Sequence, residues 1–186
     1  MPTALLALLA LAYPLLVYIG LLHFPVQWVA LAIALLLLLR LLLLQQRMSD
    51  VGRALYPAMA LSVLCALASV ALGHAGALRM IPFVINATCL VAFALTLRHP
   101  PSMIERFARL KEPDLPPAAV HYTRQVTIAW CIFFIVNGSV ALYTALYASM
   151  ETWTLYNGLL AYLLMGLLGG IEYLVRLRVK ARIGVP

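Results

Sequence analysis

Few side chains in this 186-residue chain are placed to do chemistry. The four histidines, His23, His74, His99 and His121, share no helical i,i+3 or i,i+4 spacing, so they predict no metal site. Cys65, Cys89 and Cys131 fall in three separate apolar runs without CxxC or Cys/His spacing. They predict small buried side chains rather than disulfides or metal ligands. There is no phosphate-cradling glycine loop, no nucleophile elbow and no His-x4-Asp pair of the membrane acyltransferase kind. Nor is there a ladder of buried acids and bases that would relay protons, or an internal inverted repeat. The expectation is a protein that is not an enzyme, with no catalytic residue, cofactor or metal. The enzymatic alternative would have to use His99, His121 or Glu105.

What remains are polar groups inside apolar runs and one basic stretch. Asn86 lies in the fourth apolar run, and Asn137, followed by Gly138 and Ser139, lies in the fifth. A polar side chain at membrane depth must find a partner in the bundle or line a cavity, so helix glue and a lined substrate path are both open. Glu172 precedes Arg176 by one turn in the sixth run, which predicts a local i,i+4 pair. The basic stretch, residues 98–124, holds Arg98, Arg106, Arg109, Lys111 and Arg124. Within it, Ser102 and Glu105 have capping-box spacing, and Met103, Phe107 and Leu110 form an apolar stripe. This predicts a short amphipathic helix lying in the membrane interface. Arg106, Arg109, Lys111, Phe107 and Leu110 are the residues expected to meet a partner. Pro113, Pro116 and Pro117 are expected to end the helix in an extended connector.

The elements that must carry these groups are apolar helices. Mean hydropathy is +1.01, with 65% hydrophobic and only 10% charged residues, which excludes an ordinary soluble domain. Six windows approach the roughly 20 residues needed to cross a bilayer. They cover residues 3–22, 26–44, 55–73, 80–97, 126–147 and 154–175 of a single all-α, polytopic membrane domain spanning 1–186. The first is expected to be a retained helix rather than a signal peptide, with a kink at Tyr13 and Pro14. With six spans, twelve of the thirteen Lys and Arg residues share one side and only Arg79 lies opposite. The positive-inside rule then puts both termini and the 98–124 loop in the cytoplasm. The net charge of +7 follows from that topology, so no nucleic-acid partner is expected.

The spans predict different packing. The second is Leu-rich around its circumference and suits lipid. The third carries Ala58, Ser62 and Ala66 at four-residue spacing, which permits close approach of another helix. In the sixth, Gly166 and Gly170 form a GxxxG pair beside Gly169, open to packing within the chain or to a homo-oligomer contact. Trp28, Trp153 and Tyr147 are expected at the outer interface, and Trp130 near the cytoplasmic one.

Three stretches together carry a resemblance: SMIERFARLKEPDLPP, YTRQVTIAWCIFFIVNGSVAL and WTLYNGLLAYLLMGLLGGIEYLVR. They resemble a family of small bacterial inner-membrane proteins found with fatty-acid-type synthases that make aryl polyene and xanthomonadin-like pigments. The resemblance covers Pro100 to Arg176. A fainter one, through Trp130, Phe133, Phe134, Asn137 and Trp153, is to the intracellular septation protein family. The first resemblance implies a non-enzymatic membrane component of a lipid or polyene assembly pathway. Such a component would dock an acidic carrier protein or pathway enzymes, or hold an acyl product. A small transporter or flippase subunit and a septation or envelope-organising protein are the alternatives.

Overall fold

A computed structural model describes residues 13–45, 56–110 and 112–183. Thr3 to Ala12 of the first expected span, Arg47, Arg53 and Lys111 lie outside the described residues, as do the side chains of Arg40, Ala58 and Lys180. The described chain is all α. Its elements are α1 (Tyr13–His23), α2 (Val26–Gln45), α3 (Tyr56–Leu72), α4 (Gly76–Arg79), α5 (Ile81–Arg98), α6 (Met103–Arg109), α7 (Pro117–Tyr147) and α8 (Met150–Leu155). A π-helical turn (Tyr156–Leu160) then leads into α9 (Ala161–Ile183).

Among the described residues, three helical stretches are long and apolar enough to cross a membrane: Gly76–Arg98, Pro117–Tyr147 and Met150–Val179. Pro14–His23, Val26–Leu39 and Met59–Leu72 are shorter apolar helices. Two of the long rods exceed the expected spans because of their caps. Pro116 is the N-cap of α7 and Pro117 its first helical residue, where a missing N–H costs nothing. The expected extended connector therefore stops at Pro116, and residues 117–124 are helical. At the other end, Ser149 Oγ accepts from Thr152 N at 3.3 Å and starts α8 four residues before the expected boundary.

α5, α7 and the α8–α9 rod run in alternating directions. Arg98, α6, the start of α7 and the last turns of α9 gather at one end, hereafter the basic end, and Arg79 lies at the other. Arg124 donates to Leu97 O at 2.9 Å across the basic end. Opposite, Arg79 Nη2 donates to Thr144 O and Ala148 O, both at 2.6 Å. It thus reaches carbonyls of the last turn and C-cap of α7, where a cation also meets the negative end of the helix dipole.

The interior has two apolar clusters. One joins Val17 of α1, Val29, Ala30, Ile33 and Ala34 of α2, Ala66 of α3, Leu78, Ile81 and Trp153. The other, toward the basic end, joins Phe93, Met103, Cys131 and Phe134. α2 is therefore not uniformly lipid-facing: its Val29–Ala30–Ile33–Ala34 face is buried, while Leu31, Leu35 and Leu39 stay exposed. The small alanines on that face let α3 approach, and Ser62 and Ala66 are correspondingly buried. Trp153 is not an interfacial ring. It is fully buried, and its indole N–H donates to Arg79 O at 3.0 Å. Trp28 and Tyr147 remain exposed.

Candidate functional site

The two asparagines picked from the sequence meet. Asn137 Nδ2 donates to Asn86 Oδ1 at 3.0 Å, linking α7 to α5. Asn86 Nδ2 donates to Pro82 O at 2.8 Å, and the Tyr156 hydroxyl donates to Asn137 Oδ1 at 2.9 Å. Both amides are buried. Gly138 allows the approach, since a Cβ there would come within 3.1 Å of Asn86 Cβ. One turn outward, Asn157 Nδ2 donates to Thr144 Oγ1 at 3.2 Å and to Trp153 O at 2.9 Å. The π turn supplies both Tyr156 and Asn157 to these bonds. The layer is closed on itself: the amides bond to each other and to neighbouring helices.

The amphipathic helix α6 forms where expected but is docked on the bundle. Ser102 is its N-cap, and Glu105 Oε2 accepts the Ser102 N–H at 3.3 Å. Met103 N donates to Thr96 Oγ1 at 2.9 Å and Ile104 N to Thr127 Oγ1 at 3.3 Å. Two orphan amides of the helix are thus pinned to α5 and α7, and Met103 is buried among aromatic rings. Glu105, itself buried, accepts from Arg109 Nε at 2.9 Å and Nη2 at 2.8 Å. Arg109 Nη1 also reaches Pro113 O at 2.6 Å, and Arg106 Nε reaches Pro101 O at 2.9 Å. The two arginines thus bond within their own loop. Phe107 and Leu110 do not join the core and stay exposed.

They line a cavity of about 670 Å³ between α6, α5, α7 and α9. Its inner wall is Cys89 and Phe93 of α5 with Trp130 and Phe134 of α7. Phe93 and Phe134 meet edge to face at 5.1 Å, and Trp130 lies 5.8 Å from Phe134. Met165 of α9 closes the far side. The polar lining groups, Glu112, Tyr122, Thr123, Glu172 and Arg176, are drawn toward the basic end. From Ala119 to Phe134 the cavity follows α7 for about 22 Å, at 1.5 Å per residue. It is an elongated slot running along α7. It exists because α6 is pinned to α5 and α7 and not to α9, while α9 is tied to α7 at the basic end by Tyr122. The Tyr122 hydroxyl is 3.0 Å from Glu172 O and 3.3 Å from Glu172 Oε1.

That bond replaces the expected Glu172–Arg176 pair. Among the described residues the ion pair that forms within 4.0 Å is Arg109–Glu105. The glycines of α9 also differ from the expectation of close packing within the chain: a Cβ at Gly166, Gly169 or Gly170 would meet nothing within 4 Å. Cys65, Cys89 and Cys131 are free thiols. Among the described residues no group of three or more His, Cys, Asp or Glu is placed to hold a metal ion. The slot itself was not visible in the sequence, because its wall draws on four elements spread from Cys89 to Val179. The signal that pointed toward it was the apolar stripe of α6. No protein-family model, curated protein or solved structure matches the chain.

Proposed function

We propose that this chain is a non-enzymatic inner-membrane component of a lipid or aryl polyene-type assembly pathway, and that its part is to hold a long apolar product. In this reading it crosses the membrane six times, with both termini and α6 on the cytoplasmic side. The observation that carries the reading is the slot. Its volume of about 670 Å³ falls in the roughly 300–1,000 Å³ range of ligand pockets, and its walls are apolar and aromatic. Phe107 and Leu110 present exposed apolar surface to it, and an acyl or polyene chain would cover it. Arg106 and Arg109 are already bonded within the loop, so docking of an acidic carrier protein has less support than holding the product. The Asn86–Asn137–Tyr156 layer has its amides bonded to one another, which favours helix glue over a transport path.

The test fills the slot. Ala119 lines it and is half-buried, so Ala119→Trp places an indole in the chain's path without touching the polar layer. Wild type purified from membranes should carry an extractable single-chain apolar molecule near one per protein, and Ala119→Trp should carry several-fold less at unchanged melting temperature. Equal recovery from both would remove the support for the reading.

A further inference from the structure

The slot has a direction. Its deep wall is apolar, and the charged groups stand at the basic end, where Arg176 of α9 faces the cavity half-buried. Arg176 follows Glu172 by one turn, yet the two are not paired within 4.0 Å among the described residues. The Glu172 carboxylate accepts from Tyr122 instead. An i,i+4 pair on a helix is worth only about 0.2–0.5 kcal/mol, so a neutral hydroxyl bridging to another helix displaces it readily. The consequence is a guanidinium beside Tyr122 and Glu172 at the mouth of the slot that, among the described residues, has no ion pair within 4.0 Å. Arginine presents a planar fork that matches carboxylate or phosphate oxygens two at a time, and such charge-assisted bonds are the strong ones.

We infer that the slot is a binding site for a single-chain anionic amphiphile. Its carboxylate or phosphate head sits on Arg176 at the basic end, and its tail runs along α7 toward Trp130 and Phe134. This rests on the reading that the slot holds an apolar chain, and adds the head group to it. The occupant is a long, narrow molecule because the slot follows α7 for about 22 Å. It is anionic because Arg176 is the cation on the lining and, among the described residues, has no ion pair within 4.0 Å, whereas the Glu172 carboxylate is held by Tyr122. A free acid and a lysophospholipid share that chemistry.

The full chain is reconstituted in neutral lipid at alkaline pH, and quenching of Trp130 is read with three brominated probes: stearic acid, its methyl ester and lysophosphatidic acid. Trp130→Phe supplies the baseline from Trp28 and Trp153. The acid, the lysophosphatidic acid or both should quench at about tenfold lower mole fraction than the ester, the factor expected of one charge-assisted contact. Whichever anionic probe quenches better names the head. Arg176→Gln should bring the anionic probes to the ester's level at an unchanged melting temperature, and Arg176→Lys should keep part of the difference. Quenching by all three probes alike, or an anionic preference unmoved in Arg176→Gln, would overturn the head-group assignment and leave the apolar slot standing. No quenching of Trp130 by any probe would overturn the slot reading itself.

Discussion

Asn137 shows what a residue type foretells and what it leaves to the fold. An amide near the middle of an apolar helix announces a need for partners, and Asn86 announces the same need 51 residues earlier. That the two satisfy each other depends on Gly138 bringing α5 and α7 together. That Tyr156 joins them depends on a π turn, which an i,i+4 pattern does not foresee. Glu172 and Arg176 went the other way: correct spacing for a local pair, overridden by a tyrosine 50 residues away. The layer's role as glue sets an expectation for Asn137→Leu. It strands the Asn86 carbonyl oxygen and the Tyr156 hydroxyl, and should lower stability in detergent by about 0.6–2 kcal/mol. Thermal melts of Asn137→Leu, Asn86→Leu and the double variant measure it. The double variant should lose less than the sum, because each single change already breaks the shared bond.

Among the elements, α6 was the most readable and the most misplaced. Its start and apolar stripe follow from Ser102, Glu105, Met103 and Phe107, and the fold has both, with Glu105 accepting the Ser102 N–H and the helix ending at Arg109. Its site does not, because nothing local says that Thr96 and Thr127 will receive its first amides. Pro117 teaches the same lesson in reverse: a residue that reads as a breaker opens the longest helix, since position in the helix decides its effect. If the threonines hold α6 down, Thr127→Val should release it. Thr127 is fully buried, and the change leaves the Ile104 amide without its acceptor, at a cost of about 1–3 kcal/mol. Hydrogen–deuterium exchange across residues 103–110 should quicken while α5 and the middle of α7 stay protected. Uniform loss of protection would mean that Thr127 supports the whole bundle rather than this one contact.

For the whole molecule, helical character and membrane-crossing length follow from composition, and three rods among the described residues meet that length. The three shorter apolar helices, α1 to α3, are where the six-span reading is tested. Reporter fusions at Lys111 and after Pro186 should give cytoplasmic signals and one at His74 a periplasmic signal, because the six-span reading puts twelve of thirteen basic residues on one side. A periplasmic signal at Lys111 would contradict that topology. The slot, by contrast, could be seen only once the helices were assembled, since it lies where α6 and α9 fail to meet. Its occupancy is the central claim, and photocrosslinking tests it most directly. A single-chain fatty acid bearing a tail diazirine is irradiated with the full chain in native membranes, and adducts are mapped by mass spectrometry. The account predicts adducts concentrated on Phe93, Trp130, Phe134 and Met165, and reduced several-fold in Ala119→Trp. Adducts spread over the exposed outer face of α9, at Leu163, Leu167 and Leu174, with none on the slot wall, would contradict it.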